Sequence, residues 1–237
     1  MGNVIINNDE LRDDEYSQKC EEYAKYIDEH VMNIKAAFND LFRNPNKPFT
    51  NFHGITGEKL DNILNKLEMA VACHDSSKYT DEEFEAYRAK YYPTTKEKER
   101  MEHDAFYAQL VNAEYDVAWK HHFITNDHHP NHWKWITFEN IKRPVYTDSG
   151  KEAAGAVETV KTKVILKTPR EVALPMKPIA ILHMICDWQA MSTKFNNRTT
   201  DWYMSERSKD ERAALNPSTK VIVEELLEQL YGVKITF

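Results

Sequence analysis

The stretch "KLDNILNKLEMAVACHDSSK", residues 59–78, combines a helical apolar pattern with two potential metal ligands. Its apolar residues recur at spacings of three and four, at Leu60, Ile63, Leu64, Leu67 and Val71. This period predicts a helix over about residues 57–73 with one buried face. The helix runs directly into His74 and Asp75, so an imidazole and a carboxylate stand side by side where an apolar face ends. A His-Asp dipeptide is common by chance, and its meaning depends on the rest of the chain.

Helical patterns dominate that remainder, and glycine is scarce. Further helices are predicted over residues 16–43, 80–93, 97–123, 177–195 and 217–231. In the helix over 80–93, Thr80 is placed to cap the first turn and Pro93 to end the helix, while Glu82, Glu83 and Glu85 are expected on a solvated face. The inward side of the helix over 97–123 is predicted to carry Phe106, Leu110, Ala113 and Val117.

Two segments depart from this helical pattern. Residues 124–140 are rich in His, Asn and Trp and are predicted to form a loop, whereas residues 141–175 contain β-branched residues, a Ser-Gly turn and prolines. The second segment is predicted to be a loose loop or a short β-hairpin inserted between helices. Residues 145–172 are expected to be more mobile than the helices, and to be able to fold over a site as a lid. The predicted fold is mainly α, a single domain over residues 1–237 with a core at about 16–205 and a C-terminal helix packed on it.

Composition excludes some classes of function. The 237 residues carry a formal net charge of −7, which predicts no binding to duplex nucleic acid. No apolar run reaches the roughly 18 residues that a membrane span needs, so no membrane association is predicted. The three cysteines form no paired framework, and Cys73 and Cys186 stand in apolar runs that predict buried thiols. A reducing, cytoplasmic compartment is therefore predicted.

Histidine is concentrated in "KHHFITNDHHPNHW", residues 120–133, which holds five of the ten histidines. This stretch indicates either a metal site or a polar loop of unusual composition. A further signal is Asp187 inside "LHMICDWQAM", the most apolar helical segment, because an unpaired carboxylate there would cost several kcal/mol. A cation, an arginine or a helix end would satisfy it. Imidazole and carboxylate donors together suit a divalent transition metal such as Mn, Fe, Zn, Co or Ni.

The order His, then His-Asp on the next helix, then a distant Asp on a late helix resembles the HD-domain metal-dependent phosphohydrolase superfamily. In that all-helical family the first His, the His-Asp pair and the last Asp hold one divalent metal, and members with two extra histidines hold two metals bridged by the first Asp. The segments "HDSSKYTDEEFEAY", "HHFITNDHHPNHW" and "MICDWQAMSTKF" are also similar to an uncharacterised HD-like family of bacteria and phages, over residues 20–205. The resemblance implies an HD-domain-like helical bundle and a metal site, and it brings no substrate.

The resemblance can be carried over residue by residue. The positions that match the core pattern are His30, His74, Asp75 and Asp187. His122 and His128 match the two extra ligands of the two-metal subset, although His121 could replace His122 and His129 could replace His128. His53 is a rival for the first ligand, but it stands in a predicted loop, whereas the family's first ligand lies on a helix.

The residues around this pattern are assigned roles on the same basis. Asp75 is the catalytic bridge, Lys78 is expected to contact a phosphate or to pair with Asp75, and His129, with Asn126, is expected to bind substrate or polarise the leaving group. His183 is either a hydrogen-bond partner of a ligand or a core residue. Trp133, Trp135 and Trp188 could stack a base or could pack in the core.

The expected function is that of a phosphohydrolase acting on a nucleotide or another small phosphoester through one or two metal ions. Such a site activates water and neutralises phosphate oxygens. One alternative is a diiron oxygenase, because myo-inositol oxygenase shows a similar order of ligands. The other is a non-catalytic HD-like protein that binds a nucleotide or a protein. The sequence leaves the substrate, the metal and the oligomeric state open.

Overall fold

The structure is a computed structural model that describes residues 14–147 and 160–237, with side-chain surroundings for 14–138 and 169–237. Its helices are α1 (Asp14–Phe42), α2 (Gly57–Ala72), α3 (Phe84–Tyr91), α4 (Thr95–His103), α5 (Ala105–Thr125), α6 (Pro178–Lys194), α7 (Thr199–Met204), α8 (Lys209–Ala214) and α9 (Pro217–Tyr231). Its strands are β1 (Asn51–Phe52), β2 (Ile55–Thr56), β3 (Lys134–Thr147) and β4 (Val160–Ala173). The prediction of a mainly α fold with an inserted hairpin is confirmed.

The chain divides into two compact units. One is a helical body of residues up to 133 together with residues 175–237, and the other is the hairpin of residues 134–174. Within the helical body, α9 contributes Val223, Leu226 and Leu227 to the same core that α1, α2 and α6 line. Gly232 ends α9 in the left-handed conformation (φ 65°), which a glycine adopts without steric cost.

The core of the helical body positions the chemically active side chains. Its members include Ile34 and Phe38 of α1, Leu64 and Leu67 of α2 and Ile185 of α6, all at most 2% exposed. Burying each such side chain contributes roughly 1.5–3 kcal/mol. Because α1, α2 and α6 share this core, the polar residues at the edge of their buried faces are brought together.

The buried side of α5 differs from the prediction. Phe106 and Val117 are 74% and 69% exposed, whereas α5 buries Tyr107, Val111, Ala118 and His122. The single helix predicted over 97–123 is interrupted at Asp104, whose side chain accepts hydrogen bonds from the backbone N–H groups of Phe106 and Tyr107. A new helix therefore begins at Ala105, and all four predicted inward residues lie within it. The helical period was correct, but the face that packs against the rest of the fold is a neighbouring one.

The start of α3 also differs from the prediction. The helix begins at Phe84, and Thr80 closes a preceding turn by donating its hydroxyl to the Ser77 carbonyl. As a result Glu83 is 0% exposed, so the prediction of a solvated face is wrong for this residue.

The inserted hairpin is longer than predicted and begins earlier. Strands β3 and β4 pair antiparallel from Lys134 opposite Ala173 to Thr147 opposite Val160. The loop predicted over residues 124–140 is confined to residues 126–133, since α5 extends to Thr125 and a strand begins at Lys134. The predictions of mobility and of a lid over residues 145–172 stay predictions, and residues 148–159 lie outside the described part of the chain.

The described cysteines and helices bear on two further predictions. Cys186 is buried, but Cys73 is exposed, so the prediction of two buried thiols is half wrong. Cys73 directly follows α2 and is not part of its buried face, so apolar neighbours in sequence did not imply burial. Within the described residues, none of the helices has both the length and the apolar character needed to cross a membrane.

Candidate metal centre

Each candidate ligand occupies a position that the local structure fixes. His30 lies on the buried face of α1, and Asp187 lies within α6, the helix with the most buried residues. His74 and Asp75 follow the last turn of α2, and Asp75 has a left-handed backbone (φ 54°). This conformation is uncommon outside glycine but several-fold enriched for Asp and Asn. The chain turns at this residue, and the side chains of His74 and Asp75 are each buried, at 2% exposure.

The first cluster of donor atoms consists of His30, His74, Asp75 and Asp187. The Nε2 atom of His30 lies 3.3 Å from His74 Nε2 and 3.3 Å from Asp187 Oδ1. His74 Nε2 lies 3.3 Å from Asp75 Oδ2. Donors placed at 2.0–2.2 Å from one ion in tetrahedral geometry stand roughly 3.3–3.6 Å apart. The ligand atoms of His30, His74 and Asp75 all lie within 4.8 Å of one another, the spacing of ligands around a common point. Asp187 adjoins this group through its contact with His30.

The second cluster is built on the other oxygen of Asp75. Asp75 Oδ1 lies 3.4 Å from His122 Nε2 and 3.5 Å from His128 Nε2. His129 Nε2 lies 2.9 Å from His122 Nε2, and the ligand atoms of Asp75, His122 and His129 all lie within 4.8 Å of one another. Both histidines of the 128–129 pair thus reach the second cluster. Either of them is placed to serve as a ligand beside Asp75.

Two atoms of the second cluster are buried without a hydrogen bond. They are Asp75 Oδ1 and His128 Nε2. They lie 3.5 Å apart, within ion-pair distance but without the geometry of a hydrogen bond. Leaving a buried polar atom unsatisfied costs about 1–3 kcal/mol, and more for a charged group. Buried polar atoms without a hydrogen bond need an explanation. A cation coordinated between Asp75 Oδ1 and His128 Nε2 would explain both their lack of partners and their spacing.

The electrostatic environment favours the protonation states that metal ligands need. Burial by itself raises the pKa of Asp75, but the adjacent His74 and Lys78 hold that pKa well below its usual range. Burial raises the pKa of Asp187 too, and His30 and His74 lower it by a larger amount. Burial together with neighbouring His129 places the pKa of His128 well below its usual range. The carboxylates are thus anionic and His128 is neutral near pH 7, as metal binding requires.

Two hydrogen bonds orient the imidazole rings of the clusters. The Nδ1–H of His122 donates to Glu83 Oε2 at 2.9 Å, because a carboxylate can only accept. His74 Nδ1 lies 2.9 Å from His183 Nε2. Burial and the neighbouring His74 lower the pKa of His183 to about 3, so its neutral ring can accept from His74. In both rings the Nε2 lone pair is then directed into a cluster. His74, His128 and His183 also form a third buried group whose ligand atoms lie within 4.8 Å.

Glu83 is the site residue that the sequence reasoning missed. Its second oxygen, Oε1, accepts from His121 Nδ1 at 2.8 Å, so one buried carboxylate holds both histidines of the 121–122 pair. His122 is 1% exposed and faces the second cluster, whereas the side chain of His121 is 33% exposed and turned toward Glu83. The sequence held one hint of this role, because Glu83 is the glutamate directly before Phe84, the first residue of α3. Periodicity could not show that the helix starts only there.

Of the other residues predicted from the sequence, Lys78 and Asn126 lie beside the clusters and His53 does not. Lys78 Nζ lies 2.7 Å from Asp75 Oδ2, so Lys78 pairs with the shared carboxylate. Asn126 donates to Ser77 Oγ and lies beside His122. His53, the rival for the first ligand, is paired with Glu225 at 2.7 Å with its side chain 49% exposed, so it does not join His30.

A cavity of about 400 Å³ adjoins the clusters. Its lining residues are Trp119, His129, Asp187, Trp188, Met191, Ser192, Phe195, Asn197, Trp202, Arg207 and Glu211. Of the three tryptophans singled out in the sequence, only Trp188 lines it, since Trp133 packs against the core of the helical body and Trp135 belongs to the hairpin. His129 and Asp187 connect the cavity to the second and first clusters.

The chain belongs to a family of unknown function, DUF5662, which matches residues 19–229. It matches no curated protein and no solved structure. Membership defines the class of protein without assigning an activity, so the function has to be argued from the two clusters and the cavity.

The Glu83→Gln variant is expected to bind metal about 10–100-fold more weakly, because loss of an orienting partner typically has this effect. The glutamine can accept from only one of the two histidines and has lost the negative charge. The measurement is a metal titration against a competing chelator. Glu82→Gln is the matched control, because Glu82 is an exposed neighbour outside the clusters. Equal affinities of the two variants would show that Glu83 does not orient His122.

Proposed function

We propose that this protein is a metal-dependent phosphohydrolase that acts on a nucleotide or another small phosphoester. The observation that carries the proposal is the arrangement of two buried donor clusters around the two oxygens of Asp75, beside a cavity of substrate size. The ordered resemblance to HD-domain phosphohydrolases supports this reading, and we propose that the helical body is of that type.

The residues fit one or two divalent transition-metal ions. His30, His74, Asp75 and Asp187 would hold one ion, and Asp75, His122 and His128 would hold the second, with His129 in place of His128 as the alternative. The three donor groups found among the described residues contain only imidazole and carboxylate donors. This donor set suits Mn, Fe, Zn, Co or Ni and differs from the thiolate sites of structural zinc. The unsatisfied Asp75 Oδ1 and His128 Nε2 are the local evidence for the second ion.

A bound divalent ion supplies positive charge for phosphate oxygens and lowers the pKa of water near it. The protein's own residues supply orientation and charge balance. Lys78 fixes Asp75 Oδ2 and offsets part of the negative charge of the site. Glu83 and His183 fix the rings of His122 and His74. His129 borders the cavity and is placed to contact the leaving group of a phosphoester that reaches the clusters.

The test starts from elemental analysis of the purified protein. Metal-free protein is then loaded separately with Mn, Fe, Zn, Co or Ni, and phosphate release is measured from nucleotides, sugar phosphates and phenyl phosphate. We expect release from at least one substrate class, dependent on metal and abolished by a chelator. Metal-loaded protein that releases phosphate from none of them would contradict the proposal. Oxygen uptake by the iron form in place of phosphate release would favour the oxygenase with a similar ligand order.

A further inference from the structure

The cavity beside the clusters has a wall of aromatic rings. Trp119 comes from α5, Trp188 from α6 and Trp202 from α7, and Phe195 follows α6. The rings of Trp188 and Trp202 lie 5.0 Å apart at 58°, and Trp119 lies 5.7 Å from the ring of His129. Four aromatic side chains from three helices and the residue after α6 thus converge on one cavity next to the candidate metal ligands.

Such a wall has a preferred occupant. Indole and phenyl faces bind flat, electron-rich or heteroaromatic rings by offset stacking, in addition to the area they bury. A volume of about 400 Å³ lies at the lower end of the range for pockets that enclose a small ligand. The cavity can therefore hold one ring system and its attached group.

The charges on the cavity lining limit the number of phosphates. Arg207 is the one cationic side chain among the described lining residues, and Asp187 and Glu211 are acidic. Lys78, which adjoins the clusters, is paired with Asp75. With Asp187 assigned to a metal ion, a di- or triphosphate chain lying in the cavity would find one cationic side chain, Arg207, and one further carboxylate, Glu211. A single phosphate at the clusters, with an uncharged ring in the cavity, meets no such repulsion.

We infer that the substrate is an aromatic phosphomonoester, whose phosphate lies at the two clusters and whose ring stacks in the tryptophan-lined cavity. This inference rests on the proposed function, and it specifies that function's substrate class. Trp119 and Phe195 are then specificity-determining residues, because they line the cavity and contact the ring, whereas the phosphate contacts the clusters.

The first test is a binding measurement that does not need hydrolysis. Phenylphosphonate has no ester bond, and methylphosphonate is its match without a ring. Metal-loaded protein is expected to bind phenylphosphonate at least about 10-fold more tightly, as stacking on an aromatic side chain typically gives. Trp119→Ala should remove most of this preference. Phe195→Ala should reduce it with less risk to folding, because Phe195 is 69% exposed.

The control variant is Phe106→Ala, an exposed aromatic on α5 outside the cavity, and it should keep the preference. The ring centres of Trp119 and His122 lie 5.7 Å apart, so a change at Trp119 can also disturb a candidate metal ligand. Metal content is therefore measured on every variant. Equal binding of the two phosphonates by the unmodified protein would overturn the inference, even if phosphate release is observed. A retained preference for phenylphosphonate without release from any phosphoester would overturn the proposed reaction and support the aromatic cavity.

The single-phosphate part is tested by displacement of bound phenylphosphonate with adenosine monophosphate and adenosine triphosphate. The monophosphate is expected to be the stronger competitor, because the cavity offers one cation to the additional phosphates. A triphosphate that competes as well as the monophosphate, or better, would contradict this part of the inference.

Discussion

The Asp75→Asn variant is expected to lose bound metal and phosphate release together, while its helical content stays close to that of the unmodified protein. Asp75 supplies Oδ2 to the first cluster and Oδ1 to the second, and it is the residue that the two clusters share. Asparagine keeps the size, and it is one of the residues that tolerate the left-handed backbone at this position (φ 54°). The substitution therefore removes charge with little strain. Activity should fall by more than the roughly 100-fold that loss of an orienting partner can cause.

Two companion variants sharpen this prediction. Asp187→Asn changes the first cluster alone, so it should leave partial metal occupancy. His132→Ala should have little effect, because His132 binds the backbone carbonyl of Ile124 and stands apart from the three donor groups. Elemental analysis, circular dichroism and phosphate release are measured on the same samples. If Asp75→Asn keeps a full complement of metal and full turnover, Asp75 is not a ligand and the resemblance to HD-domain proteins is misleading.

The Arg88→Met variant is expected to lose about 3–5 kcal/mol of unfolding free energy, the typical cost of breaking a buried ion pair. Arg88 is 0% exposed and binds both oxygens of Glu97, at 2.6 and 2.7 Å. Glu97 in turn accepts from the backbone N–H of Thr94 and caps α4. Methionine fills much of the space but leaves the Glu97 carboxylate buried without its cation. Urea denaturation monitored by circular dichroism gives the free-energy difference.

The matched control is Arg198→Met, which removes an ion pair with Asp201 at the surface. The Arg198 side chain is 70% exposed, so the loss should stay within about 1 kcal/mol.

The loss of unfolding free energy caused by Arg88→Met should also become smaller in acid. Burial raises the pKa of Glu97, but Arg88 and Thr94 hold that pKa below its usual value in the folded protein. The stabilisation from Glu97 is therefore present above the ordinary carboxyl pKa, and it is lost as the pH falls through the pKa of the folded protein. An Arg88→Met loss as small as the control's would show that the pair contributes little.

The sequence by itself determined the helices whose apolar period is uninterrupted. For α9 the predicted bounds match Pro217–Tyr231, because proline at the start and glycine after the end are local signals. The placement of α1, α2 and α6 followed from their apolar spacing within one or two residues. The ordered His and Asp residues were also readable, since helix faces fix which side chains point inward. In the folded chain His30, His74 and Asp75 lie together and Asp187 contacts His30, in agreement with the candidate ligand set, while the metal itself stays a prediction.

The tertiary structure decided what local spacing cannot encode. His121 and His122 are adjacent and both bind Glu83, but only His122 lies on the buried face of α5, where it reaches the second cluster. On α5 the local spacing fits two neighbouring faces, and packing in the folded chain exposes Phe106 and buries Tyr107. The aromatic cavity joins residues from α5, α6 and α7 that are up to 83 positions apart, from Trp119 to Trp202. Such contacts depend on how whole elements pack, because a side chain's partner in a folded protein is set by the direction and register of its helix and not by its neighbours in sequence.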